Sequence, residues 1–225
     1  MRQLVTEVAQ FRADVAQHFV QAGSPLLVRG GASAWPALAE WVLDRFAQHV
    51  EGVDLRLSTS ADVTEGGGST GGKDVAAYFD EWRARGAAGQ GRREPPLWHF
   101  DPEFFDRAPR LRRHYDFSAV ERLDGAGAGA GAGAAPSFDV LSLSFGGGDG
   151  LGFHCHGATW FGLAAGRKRW RVVPAAEFRV TSRAARQPWA SAPQGPPSPA
   201  AAPFPGLECE MGAGDLLYLP SGCGL

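Results

Sequence analysis

Residues 152–160 read GFHCHGATW and place His154 and His156 one residue apart, just after the glycine turn GGGDGLG (146–152) and ahead of a second extended run, GRKRWRVVP (166–174). In an extended chain residues i and i+2 project to the same face, so the two imidazoles share one side of a strand and can share one ion. Taken alone, such a pair reads equally as the opening of a metal site or as two structural or exposed histidines. The choice between them depends on what surrounds the strand.

Outward from this stretch, the second half of the chain is punctuated like a sheet protein. FDVLSLSF (138–145), LGFHCH (151–156), KRWRVVP (168–174), LECEM (207–211) and DLLYLP (215–220) are short apolar or alternating runs separated by Gly and Pro. The first half favours helices. From Leu4 the apolar residues Leu4, Val8, Phe11, Val15 and Phe19 recur at three- and four-residue steps, which predicts an amphipathic helix ended by Gly23 and Pro25. A short strand at 26–29 follows, then a helix with Pro36 near its first turn, and a further helix around 73–85 after EGGGSTGG (65–72). The expected architecture is a β-sandwich or barrel with helices in front of it. Two insertions, GAGAGAGAGAA (125–135) and the Pro/Ala/Ser-rich run at 187–206, lack the large apolar side chains a core needs and read as flexible surface loops.

Composition narrows the classes. The 225 residues are 44% hydrophobic, which suits one domain over 1–225, and 22 Lys plus Arg against 24 Asp plus Glu leave no global field for nucleic acid. Cys155, Cys209 and Cys223 are odd in number and form no C-x-x-C pair, so reduced thiols are the simpler reading. No stretch of about 20 apolar residues and no secretory leader is visible, so neither a membrane span nor a compartment is indicated. Oligomeric state is not legible.

The order of the motifs resembles that of jumonji-C (JmjC) domain proteins, cupin-like oxygenases that use Fe(II) and 2-oxoglutarate. PLLVRGGASAWPALAEW (25–41) resembles their opening segment, and PPLWHFDPEFFDRAPRLRRHYDF (95–117) their pre-barrel segment. The run from Phe138 to Pro174 is similar to their first metal-ligand strand followed by the G-x-K-x-W strand, and GAGDLLYLPSG (212–222) to the stretch before the last metal ligand. The small stand-alone members with H-x-H-G and G-R-K-R-W, some of them resident in the endoplasmic-reticulum lumen, are the nearest likeness. The resemblance implies a mainly β, cupin-like double-stranded β-helix (jelly roll) with N-terminal helices, and a protein substrate or partner. It implies His154 as the first iron ligand and Lys168 as the cation that pairs with the distal carboxylate of 2-oxoglutarate. His156 stands where most active members carry Asp or Glu, which removes the negative charge of the usual 2-His-1-carboxylate triad.

Strand alternation supports one of these roles independently, since Lys168, Trp170 and Val172 share a face while Arg167, Arg169, Arg171 and Val173 take the other. A lysine facing with Trp and Val is expected to point into the barrel, although basic runs on strands are commonly solvated. Cys155 reads as a small core residue, Trp160 and Trp170 as core, and His99 and His114 have no partner spacing. Cys223, Gly224 and Leu225 occupy the positions of the family's W-W-H, whose His is the distal ligand. Cys223 falls two residues short of that position. The resemblance therefore implies a chain that stops before the closing strands, from an incomplete gene model, and that is inactive as written whatever its parent does. Two other expectations stand beside the oxygenase: a non-catalytic cupin-like interaction module with a vestigial metal site, and a three-histidine cupin acting without 2-oxoglutarate.

Overall fold

The computed structural model describes residues 3–4, 6–9, 11–58, 71–87, 98–101, 103–120, 143–145, 157–173 and 206–222. His154, Cys155, His156 and Cys223 lie outside the described residues, as do the insertions at 125–135 and, Gly206 excepted, 187–206.

Helix and sheet are mixed. The strands are β1 (Gln3–Leu4), β2 (Thr6–Val8), β3 (Leu26–Val28), β4 (Asp54–Ser58), β5 (Gly71–Asp74), β6 (Trp98–Asp101), β7 (Leu143–Phe145), β8 (Thr159–Gly162), β9 (Arg167–Val172), β10 (Leu207–Gly212) and β11 (Leu216–Leu219). The helices are α1 (Ala13–Ala22), α2 (Ala37–Glu40), α3 (Leu43–His49), α4 (Val75–Ala87) and α5 (Phe104–Arg107), with a 3-10 turn at Pro109–His114. Among the described residues three sheets form, in the orders β1-β10-β9, β2-β3-β11-β8 and β5-β4-β6-β7. Most pairs are antiparallel, and among the described residues no sheet closes into a barrel.

The second sheet is the middle layer. Along β3, Leu26 and Val28 enter one core cluster while Leu27 enters another, and along β11, Leu216 and Tyr218 separate from Leu217 and Leu219 in the same way. Burial on both faces explains why LLV and LLYL are unbroken apolar runs. One face packs against Ala16 of α1, Trp35 and Ala37; the other faces Trp170 and Val172 of β9 and Cys209 and Met211 of β10. The chain crosses between these two sheets at Leu163–Gly166 and again at Gly212–Asp215, where Gly166 (φ 82°) and Gly214 (φ 90°) adopt the left-handed conformation such corners need.

A third cluster lies under the remaining sheet, where Leu55 and Leu57 meet Phe46, Val50, Val75, Phe79, Phe104 and Leu111. Trp41 and Tyr115 pack against this cluster and against the α1 cluster, joining the two. Trp41 Nε1–H donates to Nδ1 of the buried His114 at 3.0 Å, which requires a neutral ring. Burial, with His49 and Arg113 nearby, holds His114 below its ordinary 6.5 against the opposing charge of Glu40. The unfolded chain therefore takes up the proton first, and this contribution to stability, full above pH 6.5, is lost as the pH falls through the lower folded value. Urea midpoints are expected to fall from pH 7 to pH 5, and less so in His114→Gln, whose amide oxygen accepts the Trp41 bond without titrating.

The expected helix from Leu4 begins only at Ala13. Residues 3–4 and 6–8 instead pair as strands, Gln3 opposite Leu207 and Thr6 opposite Leu26, because edges of the two sheets are available to them. Gly23 (φ 60°) does end α1, with its N–H on the Val20 carbonyl at 3.1 Å. The expected helix at 73–85 begins at Val75, where Asp74 Oδ1 accepts the N–H groups of Ala76 (2.9 Å) and Ala77 (3.1 Å).

A Cβ at Gly162 would overlap the Trp35 ring, and that ring is pinned by its Nε1 bond to the Asp116 carbonyl (3.0 Å) and by Phe117 edge-on at 4.7 Å. Gly162→Ala is expected to destabilise the fold by about 1–3 kcal/mol, read as a shift in denaturant midpoint.

Candidate functional site

The β9 segment Arg167–Val172 carries the strand alternation outward and inward. Arg167 and Arg169 are exposed, while Trp170 and Val172 are buried between the two stacked sheets. The outward arginines have partners on β10: Arg171 Nε lies 2.7 Å from Glu208 Oε1, and Arg167 Nη1 lies 3.8 Å from Glu210 Oε1. Lys168 takes the inward face.

Its ammonium rests on aromatic rings. Lys168 Nζ is 3.9 Å from the Trp170 ring centroid and 5.8 Å from that of Phe161, and the two rings themselves lie 4.6 Å apart. The indole is held in place by its Nε1–H, which donates to Met211 Sδ at 3.0 Å. Met211 is the residue paired with Lys168 across the β9–β10 ladder, so one cross-strand pair sets both the shelf and the cation above it. Among the described residues no carboxylate lies within ion-pair reach of Lys168, and the loss of hydration alone lowers its pKa from 10.5 to about 8. Cation–π contact returns only about 0.5–2 kcal/mol of that cost.

The contrast with the rest of the chain is a signal the motif reading overlooked. Of 22 basic residues only Lys73 and Lys168 are lysine, and the other 20 are arginine. Lys73 forms an ordinary ion pair with Glu81. Lys168 is therefore a lysine kept amid arginines, on the inward face and without a counter-charge among the described residues. Cys209, also in this gap, is pushed up to about 12, chiefly by burial, and stays a thiol.

A second feature missed from sequence holds the corner of the same sandwich. Asp215, buried, accepts the Gly30 N–H at Oδ1 (3.0 Å), and its Oδ2 accepts the Gly212 N–H (2.8 Å) and Arg29 Nη1 (2.7 Å). Arg29 also donates to Glu7 and to the Glu210 carbonyl, tying β2, β3 and β10 to the turn. The sequence signal was an aspartate closing a Gly-Ala-Gly turn. A second buried acid, Asp101, pairs with the half-buried Arg107 and accepts the Glu103 N–H at 2.9 Å. Burial works to raise its carboxyl, but Arg107, that N–H and Arg56 outweigh it and hold it below the ordinary range.

Among the described residues no group of three or more His, Cys, Asp or Glu side chains is arranged to hold a metal ion. The two histidines expected as ligands are not among those residues, although residue 157, which follows them, leads into β8, the strand that carries Phe161. No described helix is long and apolar enough to cross a membrane.

No family model matches the chain. It is similar to two curated proteins of Arabidopsis thaliana. Arginine-specific demethylase JMJ22 is 25% identical over 164 residues, 72% of this chain and 29% of that protein. Lysine-specific demethylase JMJ21 is 27% identical over 166 residues, 68% of this chain and 15% of that protein. The chain thus spans less than a third of the length of either relative, and the similarity is that of a distant JmjC-like domain.

Proposed function

We propose that this domain is a JmjC-type oxygenase of the cupin-like, double-stranded β-helix class, acting on a protein side chain, in which Lys168 binds the distal carboxylate of 2-oxoglutarate. The observation that carries this reading is the ammonium on the inward face of β9, desolvated on Trp170 and lacking a carboxylate among the described residues. A desolvated cation without a counter-ion is costly, and a carboxylate ligand supplies the counter-ion that the described residues do not. The similarity to two demethylases supports the same class.

In this reading the chain's own residues bind and shield. Lys168 Nζ donates hydrogen bonds to the carboxylate, the Trp170 and Phe161 rings keep water from the pair, and the Asp215 turn holds the sheets that form the gap. Fe(II), held by His154 and His156 with a further ligand, would supply oxygen activation when bound. His156 brings no negative charge, which is the feature that favours the second reading, a binding module with a vestigial metal site.

Calorimetric titration of the chain with 2-oxoglutarate tests the reading. Binding is expected to weaken at least about ten-fold in Lys168→Met, with the fold intact by circular dichroism, because a charge-assisted pair is lost from a desolvated site. Equal binding by both proteins would remove the assignment. Release of succinate in the presence of Fe(II) then separates the oxygenase from the binding module, which binds without turnover.

A further inference from the structure

We propose that Lys168 is a covalent capture site for small carbonyl compounds, aldehydes or 2-oxo acids, which it binds as an iminium on the Trp170 face. The inference is independent of the oxygenase reading, because it needs neither iron nor turnover.

Three features of the gap favour this chemistry. The amine is half-buried on the inward face of β9, and among the described residues it has no carboxylate to hold it as an ammonium. Lysines desolvated in this way are the ones that form imines, since a larger share is present as the free nucleophile. The product also suits the site. Acylation would discharge the nitrogen and forfeit the contact with the ring 3.9 Å away, whereas an iminium keeps one positive charge over the same indole. Finally, Val172, Met211, Leu217 and Leu219 make the surroundings apolar, which favours expulsion of water.

The step balances without an oxidant or reductant. The ammonium yields a proton to solvent, and the nitrogen lone pair attacks the carbonyl carbon to form a carbinolamine. That carbinolamine takes up a proton on its oxygen, the C–O bond breaks and water leaves, giving C=N⁺. Cys209, which also faces the gap, remains a protonated thiol and takes no part as a base. Arg167 and Arg169 lie on the opposite face.

The chain carries its own control, because the sole other lysine, Lys73, is half-buried and ion-paired with Glu81. The full chain is incubated at pH 7 with glyoxylate and, separately, with acetaldehyde, each with cyanoborohydride to trap the imine. The rate at each lysine is read by peptide mass spectrometry, the Met1 amine reporting in its own peptide. Lys168 is expected to be labelled at least about ten-fold faster than Lys73 with both probes, and the two rates to converge in guanidinium. A larger excess with glyoxylate than with acetaldehyde assigns the site to 2-oxo acids, and an equal excess assigns it to carbonyls at large. Labelling of Lys73 as fast as Lys168, or an excess that survives unfolding, overturns the proposal.

Discussion

Lys168→Met is expected to stabilise the fold by about 1–3 kcal/mol at pH 7, the reverse of what a core substitution normally does. Lowering the lysine pKa from 10.5 to about 8 corresponds to a cost of about 3 kcal/mol in holding the charged form, and contact with Trp170 offsets about 0.5–2 kcal/mol of it. Methionine keeps much of the aliphatic length beside Trp170 and Phe161 and removes the charge. The pH dependence follows from the direction of the shift. The folded pKa lies below the unfolded one, so between pH 8 and 10.5 the unfolded chain binds more protons and the stability of the native protein rises with pH. The advantage of the variant is therefore full below pH 8 and gone above 10.5. Urea unfolding of both proteins at pH 7 and at pH 10 checks this. A variant less stable than the parent at pH 7 would mean that the ammonium has a partner that holds it in place. A gain in stability joined to a loss of 2-oxoglutarate binding is the pattern of a residue kept for a ligand at the fold's expense.

The opposite sign is expected at the corner of the sandwich, where Asp215→Ala should cost about 1–3 kcal/mol, as removal of a buried carboxylate that accepts two backbone N–H groups and a half-exposed arginine does. Its carboxylate receives the Gly30 and Gly212 N–H groups as well as Arg29; alanine takes the acceptor from both N–H groups, while Arg29 keeps Glu7 and the Glu210 carbonyl. Burial alone would raise the Asp215 carboxyl; the two backbone donors and Arg29 more than reverse this and hold it below 3.8. The stabilisation is then complete above pH 3.8 and is lost as the pH falls through the lower folded value, so parent and variant should converge in acid. A denaturant series from pH 7 to pH 2.5 measures both effects. A loss under 1 kcal/mol at pH 7 would show that water replaces the carboxylate readily and that the turn does not depend on it.

Much of the sandwich was legible because its strands carry local signals. LLV and LLYL announced themselves as apolar runs, β9 and β10 as alternating ones, and Gly23 marked the end of α1. The strands that went unread are those with weak local signals. Residues 3–4 and 6–8 lie in a stretch of helical spacing yet become β1 and β2, since they bond to strands as distant as Leu207. DLRLS (54–58) and GGKD (71–74) form a sheet through pairing with each other and with Trp98 and His99, which no window of sequence contains.

At the candidate site the division is the same. The two-residue period of an extended backbone is covalent geometry, so the sequence by itself determined that Lys168 faces with Trp170 and Val172 and away from the three arginines. It determined as well that lysine, rare in this chain, stands there. Only the tertiary structure decided what that face meets: Phe161 from β8, Met211 from β10, and no carboxylate among the described residues. Hydration and counter-charge are properties of the groups that surround a side chain, and those groups come from strands more than forty residues away in the case of Met211, brought together by stacking of the sheets.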